Sequence, residues 1–245
     1  MFPSNITIKE GAFFITDAHY SHLRPQLLEF IKAIELKQLQ PPQIILMGDI
    51  FDSLIGEVSY THRQNRTLID LLNRLSQNIE IIYLEGNHDF NLHNIFPKIQ
   101  IFSISQQPIL VQYKKKKIYL SHGDFNADIG YKIYTSIIRN SVILSLLSFI
   151  DKIGNFFIMK KLDRYLSKKD DCKKLKNFPF FTEKRLNIKY SCDYFIDGHF
   201  HQNRRFQIAD FIYINLGAFA CNQRYFSVKL DNDKELLEEH IFLKE

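Results

Sequence analysis

Three short apolar runs, Ala12–Thr16, Gln43–Met47 and Glu80–Leu84, each lead straight into polar residues rich in Gly, Asp, Asn and His. A brief apolar run closed by turn-forming residues is the pattern of a buried strand. Between the first two lies Arg24–Lys37, with Leu27, Leu28, Ile31 and Ile34 near helical spacing. Between the second and third lies Arg63–Ser76, with Leu68, Ile69, Leu71, Leu72 and Leu75 in a similar pattern. Strand, helix, strand, helix, strand predicts parallel pairing through right-handed crossovers. In such sheets a site gathers beyond the carboxyl ends of the strands, which is where the polar clusters stand.

The texture changes after Asn91. Pro108–Tyr113 and Lys117–Ser121 read as strands joined by the lysine run Lys114–Lys117, predicted to be a solvated turn. Tyr131–Lys169 is helix-like and free of proline, and Asp170–Tyr190 is mixed and basic. Asp193–Asp197, Arg205–Ile208, Phe211–Asn215 and Tyr225–Leu230 read as strands spaced as in a meander. There is no internal repeat and no low-complexity linker. The pattern predicts an α/β fold, one domain over residues 1–245 with a mostly helical insertion at about 131–190. The longest apolar stretch lies between Ser141 and Ile150, short of the roughly 20 residues of a spanning helix. Met1–Glu10 has no apolar core, so no signal peptide is predicted.

Composition changes this picture little. With 45% hydrophobic and 24% charged residues the chain is an ordinary globular one rather than disordered. A net charge of +5 permits an anionic partner and does not choose among a phosphate ester, a nucleic acid and an acidic membrane. No nucleic-acid-binding module is recognisable, and the lysines are accounted for as surface solvation. Cys172, Cys192 and Cys221 are odd in number and widely spaced, with no Cys-x-x-Cys pair. They predict reduced thiols in a cytoplasmic protein and no disulfide.

Five segments carry candidate chemistry: Asp17-Ala18-His19, Gly48-Asp49-Ile50-Phe51-Asp52, Gly86-Asn87-His88-Asp89, Ser121-His122-Gly123-Asp124 and Gly198-His199-Phe200-His201. Each alone is a weak signal. Together, each after an apolar run, they point to a metal centre. Divalent transition metals take imidazole nitrogen and carboxylate oxygen. Side chains two apart at a strand end point the same way, so Asp17/His19 and His199/His201 are each expected to present two ligands to one side. Gly48, Gly86, Gly123 and Gly198 are expected to let the backbone turn beside the site. Two metals need a shared ligand, and Asp49, on the central strand of the three, is the best-placed carboxylate.

In these segments the chain resembles the calcineurin-like metallophosphoesterases, whose pattern is D-x-H, G-D-x-x-D, G-N-H-D/E, H and G-H-x-H. All five elements are present in order. The resemblance implies a sandwich of two mixed sheets flanked by helices, a second sheet that spacing alone does not show. It implies one metal on Asp17, His19, Asp49 and His201, and another on Asp49, Asn87, His122 and His199. His88, Asp49 and Asn87 become the catalytic residues. The cofactors become two divalent ions, Mn²⁺ foremost, with Fe, Zn²⁺ and Mg²⁺ compatible with the same ligands. Asp89 would orient His88 or cap a turn, Asp52 would support the ligands, and Asp124 would bond amides in its own turn. Arg204 and Arg205 read either as contacts to an anionic substrate or as surface charge.

A narrower resemblance rests on His122-Gly123-Asp124 with Asp128 and Tyr131 following, and on Leu216-Gly217-Ala218-Phe219. These look like the UDP-2,3-diacylglucosamine pyrophosphatases of lipid A synthesis. That family implies cleavage of a nucleotide-linked lipid to UMP and a lipid phosphate, with a helical insertion that binds acyl chains. It places the chain in the cytoplasm, at the inner face of an anionic membrane. Apolar residues from Ile137 to Ile158 with Lys152, Lys160, Lys161 and Arg164 among and after them suit an acyl pocket or membrane surface. They suit equally a helix packed on its own core. Those enzymes carry Arg where this chain has His88. A histidine there can protonate an alkoxide leaving group, so a phosphomonoester or diester of a nucleotide or protein stays open. So does a non-catalytic metal-binding scaffold.

Overall fold

The computed structural model describes residues 6–125, 135–186, 190–229 and 235–242. Its first half runs β1 (Ile6–Thr7), β2 (Phe13–Ile15), α1 (Gln26–Glu35), β3 (Gln43–Leu46), β4 (Leu54–Ile55), α2 (Ser59–Leu75), β5 (Glu80–Leu84), β6 (Asp89–Phe90) and β7 (Gln100–Phe102). Next come β8 (Ile109–Tyr113), β9 (Lys116–Ser121), α3 (Ser141–Ile153), α4 (Phe157–Leu166) and α5 (Phe178–Arg185). The chain closes with β10 (Tyr194–Asp197), β11 (Arg204–Ile208), β12 (Phe211–Asn215), α6 (Phe219–Asn222), β13 (Arg224–Val228) and β14 (Leu237–Ile241).

β2, β3 and β5 pair in parallel, with Ile15 opposite Leu46 and Leu46 opposite Tyr83. β3 is buried along its whole length, as a continuous apolar run in a central strand must be. One face of this sheet packs on α1 and α2 through Phe30, Ile34, Leu68 and Leu72. The other face, with Ile45, Met47 and Ile82, meets Val111, Leu120, Ile196 and Ile214 of a second sheet. The two six-stranded sheets have the orders β14-β13-β2-β3-β5-β7 and β1-β8-β9-β10-β12-β11. On the far side of the second sheet, Phe178 and Leu186, at either end of α5, pack with Phe195 and Tyr213. The architecture is therefore a two-sheet α/β sandwich flanked by helices.

The carboxyl-terminal strands do not form a meander. β10 lies parallel between β9 and β12, and β11 turns back antiparallel on β12 at the sheet edge. β13 leaves for the first sheet and pairs antiparallel with β2. Apolar alternation shows that a strand has a buried face but not which sheet it joins, and Phe226 and Val228 are buried between the sheets from that side.

The helical run is broken as well. Residues 131–134 lie outside the described residues, and the rest divides into α3 and α4, bent by 102°. Gly154 ends α3, and Asn155 and Phe156 follow at φ 55° and 59°. Asp151 then caps α4, accepting from Ile158 N at 2.7 Å and Met159 N at 3.2 Å. Among the described residues no single helix is long and apolar enough to cross a membrane. Most of the apolar side chains on this pair stay in the open: Val142 is 75% exposed, Phe149 62% and Ile153 73%. A helix packed on its own core is not what the chain builds.

The thiol expectation is also corrected. Cys172 and Cys221 are disulfide-bonded with their Cα atoms 5.6 Å apart, and only Cys192 is free. A separation of 49 residues hides this pair in the sequence. Folding lays the segment after α4 against α6.

Arg185 of α5 anchors the helical segment to the core. It is ion-paired with the fully buried Asp197 and donates to the Gly123 carbonyl at 3.0 Å. Its guanidinium lies near the rings of Phe125 and Phe200, at 5.0 and 4.9 Å. Removing one partner of a buried pair leaves an uncompensated charge, which costs about 3–5 kcal/mol. Arg185→Met should lower the urea-unfolding free energy by about that amount. A loss under about 1 kcal/mol would show that Asp197 is satisfied without the guanidinium.

Candidate metal centre

Every candidate ligand stands just past the carboxyl end of a strand. Asp17 and His19 follow β2, Asp49 and Asp52 follow β3, and Asn87 and His88 follow β5. His122 follows β9, and His199 and His201 follow β10. The two sheets meet here, so loops from both contribute.

The side chains collect into adjoining groups. Ligand atoms of Asp17, His19 and His201 lie within 4.8 Å of one another, as do those of Asp49, His122 and His199. His19, Asp52 and His88 form a third such group. His201 Nε2 is 3.0 Å from Asp17 Oδ1, and His122 Nε2 is 3.4 Å from Asp49 Oδ2. Asn87 Oδ1 stands 3.3 Å from His122 Nε2. The fold thus brings all seven candidate ligands together, with His88 Nε2 at 4.0 Å from Asp49 Oδ2. Arg204 and Arg205 lie exposed on β11.

The geometry departs from the strand-end argument. His199 and His201 do not face one side but enter different groups. The reason is backbone conformation. Asp17, His19, Asp49, His199 and His201 all have left-handed φ, between 45° and 61°, where a non-glycine residue is strained by about 1–3 kcal/mol. The glycines beside them divide into two kinds. Gly48 and Gly123 take positive φ. Gly86 and Gly198 instead make room: a Cβ on Gly86 would stand 2.2 Å from Asp49 Oδ1, and one on Gly198 would stand 2.0 Å from Thr16 Oγ1.

Two features fit a bound cation. Both ring nitrogens of His19 are buried without a hydrogen-bond partner, an arrangement that needs an explanation in a native fold. His199 Nδ1 and His122 Nε2 face each other at 3.2 Å, although His122 already directs Nδ1 to the Met47 carbonyl at 2.9 Å. That bond places the proton on Nδ1 and turns the Nε2 lone pair into the site. The carbonyl of Asp171 does the same for His201 Nδ1. The carbonyl of Asp52 accepts from His88 Nδ1 at 2.8 Å and so aims the Nε2 end of that ring at the site.

The family profile described as calcineurin-like phosphoesterase matches residues 12–203, a span that carries every one of these side chains. The chain belongs to the calcineurin-like phosphoesterase family. Proteins named UDP-2,3-diacylglucosamine hydrolase are similar to it. One from Haemophilus influenzae is 27% identical over 91% of this chain and 96% of its own length. One from Blochmanniella pennsylvanica is 26% identical over 77% and 78%. One from Pseudomonas fluorescens is 28% identical, but that match spans only 54% of this chain and 55% of the relative. The metallophosphoesterase fold implies divalent metals, and the grouped carboxylates and imidazoles supply candidate ligands for them.

In this calcineurin-like chain several supporting residues escaped the sequence. Asp89 was named there, and of its two expected roles it takes the cap rather than the orientation of His88. Its carboxylate accepts from the amides of Asp49, Ile50, Phe51 and Gly86 and from the Tyr83 hydroxyl, so it caps the loop that carries Asp49. The Asp124 carboxylate is buried 3.6 Å from the Arg139 guanidinium, and its turn runs on into residues outside those described. Asn215 braces the loop between His199 and His201. It accepts from Gln202 N at 2.7 Å and donates to the carboxylate of Asp197 at 2.8 Å. Gln107 accepts from His122 N at 2.6 Å and donates to the Glu85 carbonyl at 2.8 Å. The only sequence signal for these was a polar residue at the end of an apolar run.

Charge at the centre is mutually compensated. Burial alone would raise the Asp17 carboxyl, but His201 outweighs it and holds the group down to about 2. Asp49 is likewise pushed up by burial and carried well below its usual range by His122 and His88. Burial lowers His201, and Asp17 more than reverses this, to about 8. His199 is pushed down to about 3 by burial and by His122. A metal needs the neutral imidazole, so proton and cation compete at His201. The raised value makes the proton stronger, and the competition persists up to about pH 8. Burial lowers His122 too, and Asp49 carries it well above its usual range, so a proton competes there as well. Mn²⁺ affinity of the metal-free protein should therefore rise by at least about 50-fold between about pH 6 and pH 8. Titration calorimetry checks this, and an affinity that is flat over that range would contradict it.

Proposed function

We propose that this chain is a dinuclear-metal phosphoesterase that cleaves UDP-2,3-diacylglucosamine at its diphosphate, releasing UMP and a lipid phosphate. The observation that carries the reading is the pair of adjoining carboxylate–imidazole groups at one end of the sandwich. Relatives bearing that hydrolase name and matching along most of their length support the substrate. One ion would be held by Asp17, His19, Asp49 and His201, and the other by Asp49, Asn87, His122 and His199, with Mn²⁺ the metal that suits this oxygen–nitrogen set. Such ions supply an acidified water and neutralise phosphoryl oxygens.

The protein's own residues do the rest. Asp49 would be shared between the ions; its Oδ1 is fixed by the His88 amide at 2.8 Å and its Oδ2 faces His122. Asn87 gives an amide oxygen beside His122. His88, steered by the Asp52 carbonyl, presents Nε2 to the site. In its cationic form it donates to a phosphoryl oxygen and stabilises the charge that develops there. The open apolar face of α3 and α4, with Lys152, Lys160 and Lys161, supports contact with acyl chains and an anionic membrane. The same reading has the enzyme in the cytoplasm at the inner membrane face, as one domain with the 131–190 segment as its lid.

His88 also supports a second reading, hydrolysis of ordinary phosphomonoesters or diesters, in which it protonates a poor leaving group. Turnover of UDP-2,3-diacylglucosamine, UDP-N-acetylglucosamine and bis-p-nitrophenyl phosphate under Mn²⁺ separates the two. The lipid substrate should lead by at least about 100-fold in kcat/KM, and equal turnover of all three would end the lipid assignment.

Asp49→Asn should lower the metal content below two ions per chain and reduce kcat by at least about 100-fold. Full metal content with full activity would remove the bridging role.

A further inference from the structure

The disulfide lies beside one metal position and not the other. On one side of it, the segment after α4 holds His201. The Asp171 carbonyl accepts from His201 Nδ1. Lys174 Nζ donates to the carbonyls of His201 and Gln202 at 3.3 and 3.2 Å, and Leu175 N donates to Gln202 Oε1 at 2.8 Å. The Asp171 carboxylate is buried against Arg24. On the other side, α6 holds Asp17. Ala220 N donates to the Asp17 carbonyl at 3.1 Å and Phe219 N to that of Thr16 at 3.0 Å. Cys172 and Cys221 join these two holders.

Asp17 and His201 are both held at left-handed φ, a conformation that persists only where the surroundings enforce it. The second group has separate supports. Asp89 caps the Asp49 loop, and Met47 and Gln107 fix His122. None of these contacts comes from residues 170–175 or from α6.

We propose that the Cys172–Cys221 bond is a positioning staple for the Asp17–His19–His201 metal alone, so that thiol redox state sets whether the chain holds two ions or one. The proposal rests on the dinuclear reading above. A dithiol reductant would open the staple by exchange. One of its thiolates attacks a cysteine sulfur and the other cysteine leaves and takes a proton. The second thiolate resolves the mixed disulfide. The protein gains two electrons and two protons, and the reductant departs as its own disulfide. The Asp171 carbonyl is then released from His201, and α6 from its tie to that turn.

The test counts metals and thiols rather than turnover. Full-length protein, purified without reductant, is dialysed to equilibrium against a fixed low concentration of free Mn²⁺. A second sample is first reduced with a trialkylphosphine, which takes its oxygen from water and does not chelate as a dithiol does. Unfolded-state thiol titration should find one thiol before reduction and three after. Bound Mn²⁺ should fall from two ions to one, and reoxidation with diamide should restore two. Cys221→Ser should stay at one under both conditions while its far-ultraviolet dichroism matches the wild type. Two ions in both redox states, loss of both together, or three thiols in unreduced protein that holds two ions would each overturn the proposal. Fewer than two ions in protein whose staple is intact would instead sink the dinuclear reading on which it stands.

Discussion

Asp49 is buried where the two sheets meet, and much of the surrounding structure keeps that carboxylate charged. Burial disfavours the ionised form, and the nearby imidazoles of His122, His88 and His19 reverse this. Those imidazoles must then be held with a chosen nitrogen facing inward, which main-chain carbonyls do for His122 and His88. The loop bearing Asp49 must also be held in a strained conformation, and Asp89 does so by gathering four amides and the Tyr83 hydroxyl on one carboxylate. Asp89, Tyr83 and Met47 are themselves buried, and His122 comes from the second sheet, so the centre is braced from both sheets. The strain of five left-handed residues is tolerable only in such a frame.

The helical segment between β9 and β10 has two characters. At its base it is tied to the core by polar contacts aimed at the metal loops. Arg139 donates to the Gly86 carbonyl at 2.9 Å, and Arg185 to that of Gly123 at 3.0 Å. The Asp171 carbonyl reaches His201. Farther out, α3 and α4 bury little besides Leu144, Met159 and Leu166 and leave large apolar side chains in the open. Clusters of exposed apolar surface of this kind mark interaction sites rather than cores. One segment therefore both braces the loops of the candidate metal centre and carries an open apolar surface.

Legibility followed the range of the interaction. The parallel β2, β3 and β5 core was readable because burial of a central strand demands a continuous apolar run, and Gln43–Leu46 supplies one. The long helix was misread because Gly154, Asn155 and Phe156 break it without a proline, and the break is stabilised by Asp151, whose capping bonds reach seven and eight residues on. The meander was misread because β13 presents the same alternation to either sheet, and only the packing of Phe226 and Val228 between the sheets selects its place.

The candidate ligands that the fold brings together could all be named from the sequence, since oxygen and nitrogen donors are carried by side chains that stand out at strand ends. Their supports were not. Met47, Asp52 and Asp171 act on the histidines through backbone carbonyls, a group every residue possesses, so no residue type gives them away. The Cys172–Cys221 pairing and the left-handed ligand backbone were likewise decided only when distant segments met. Local pattern can name a donor atom, but its direction in space depends on neighbours that the chain brings close only by folding.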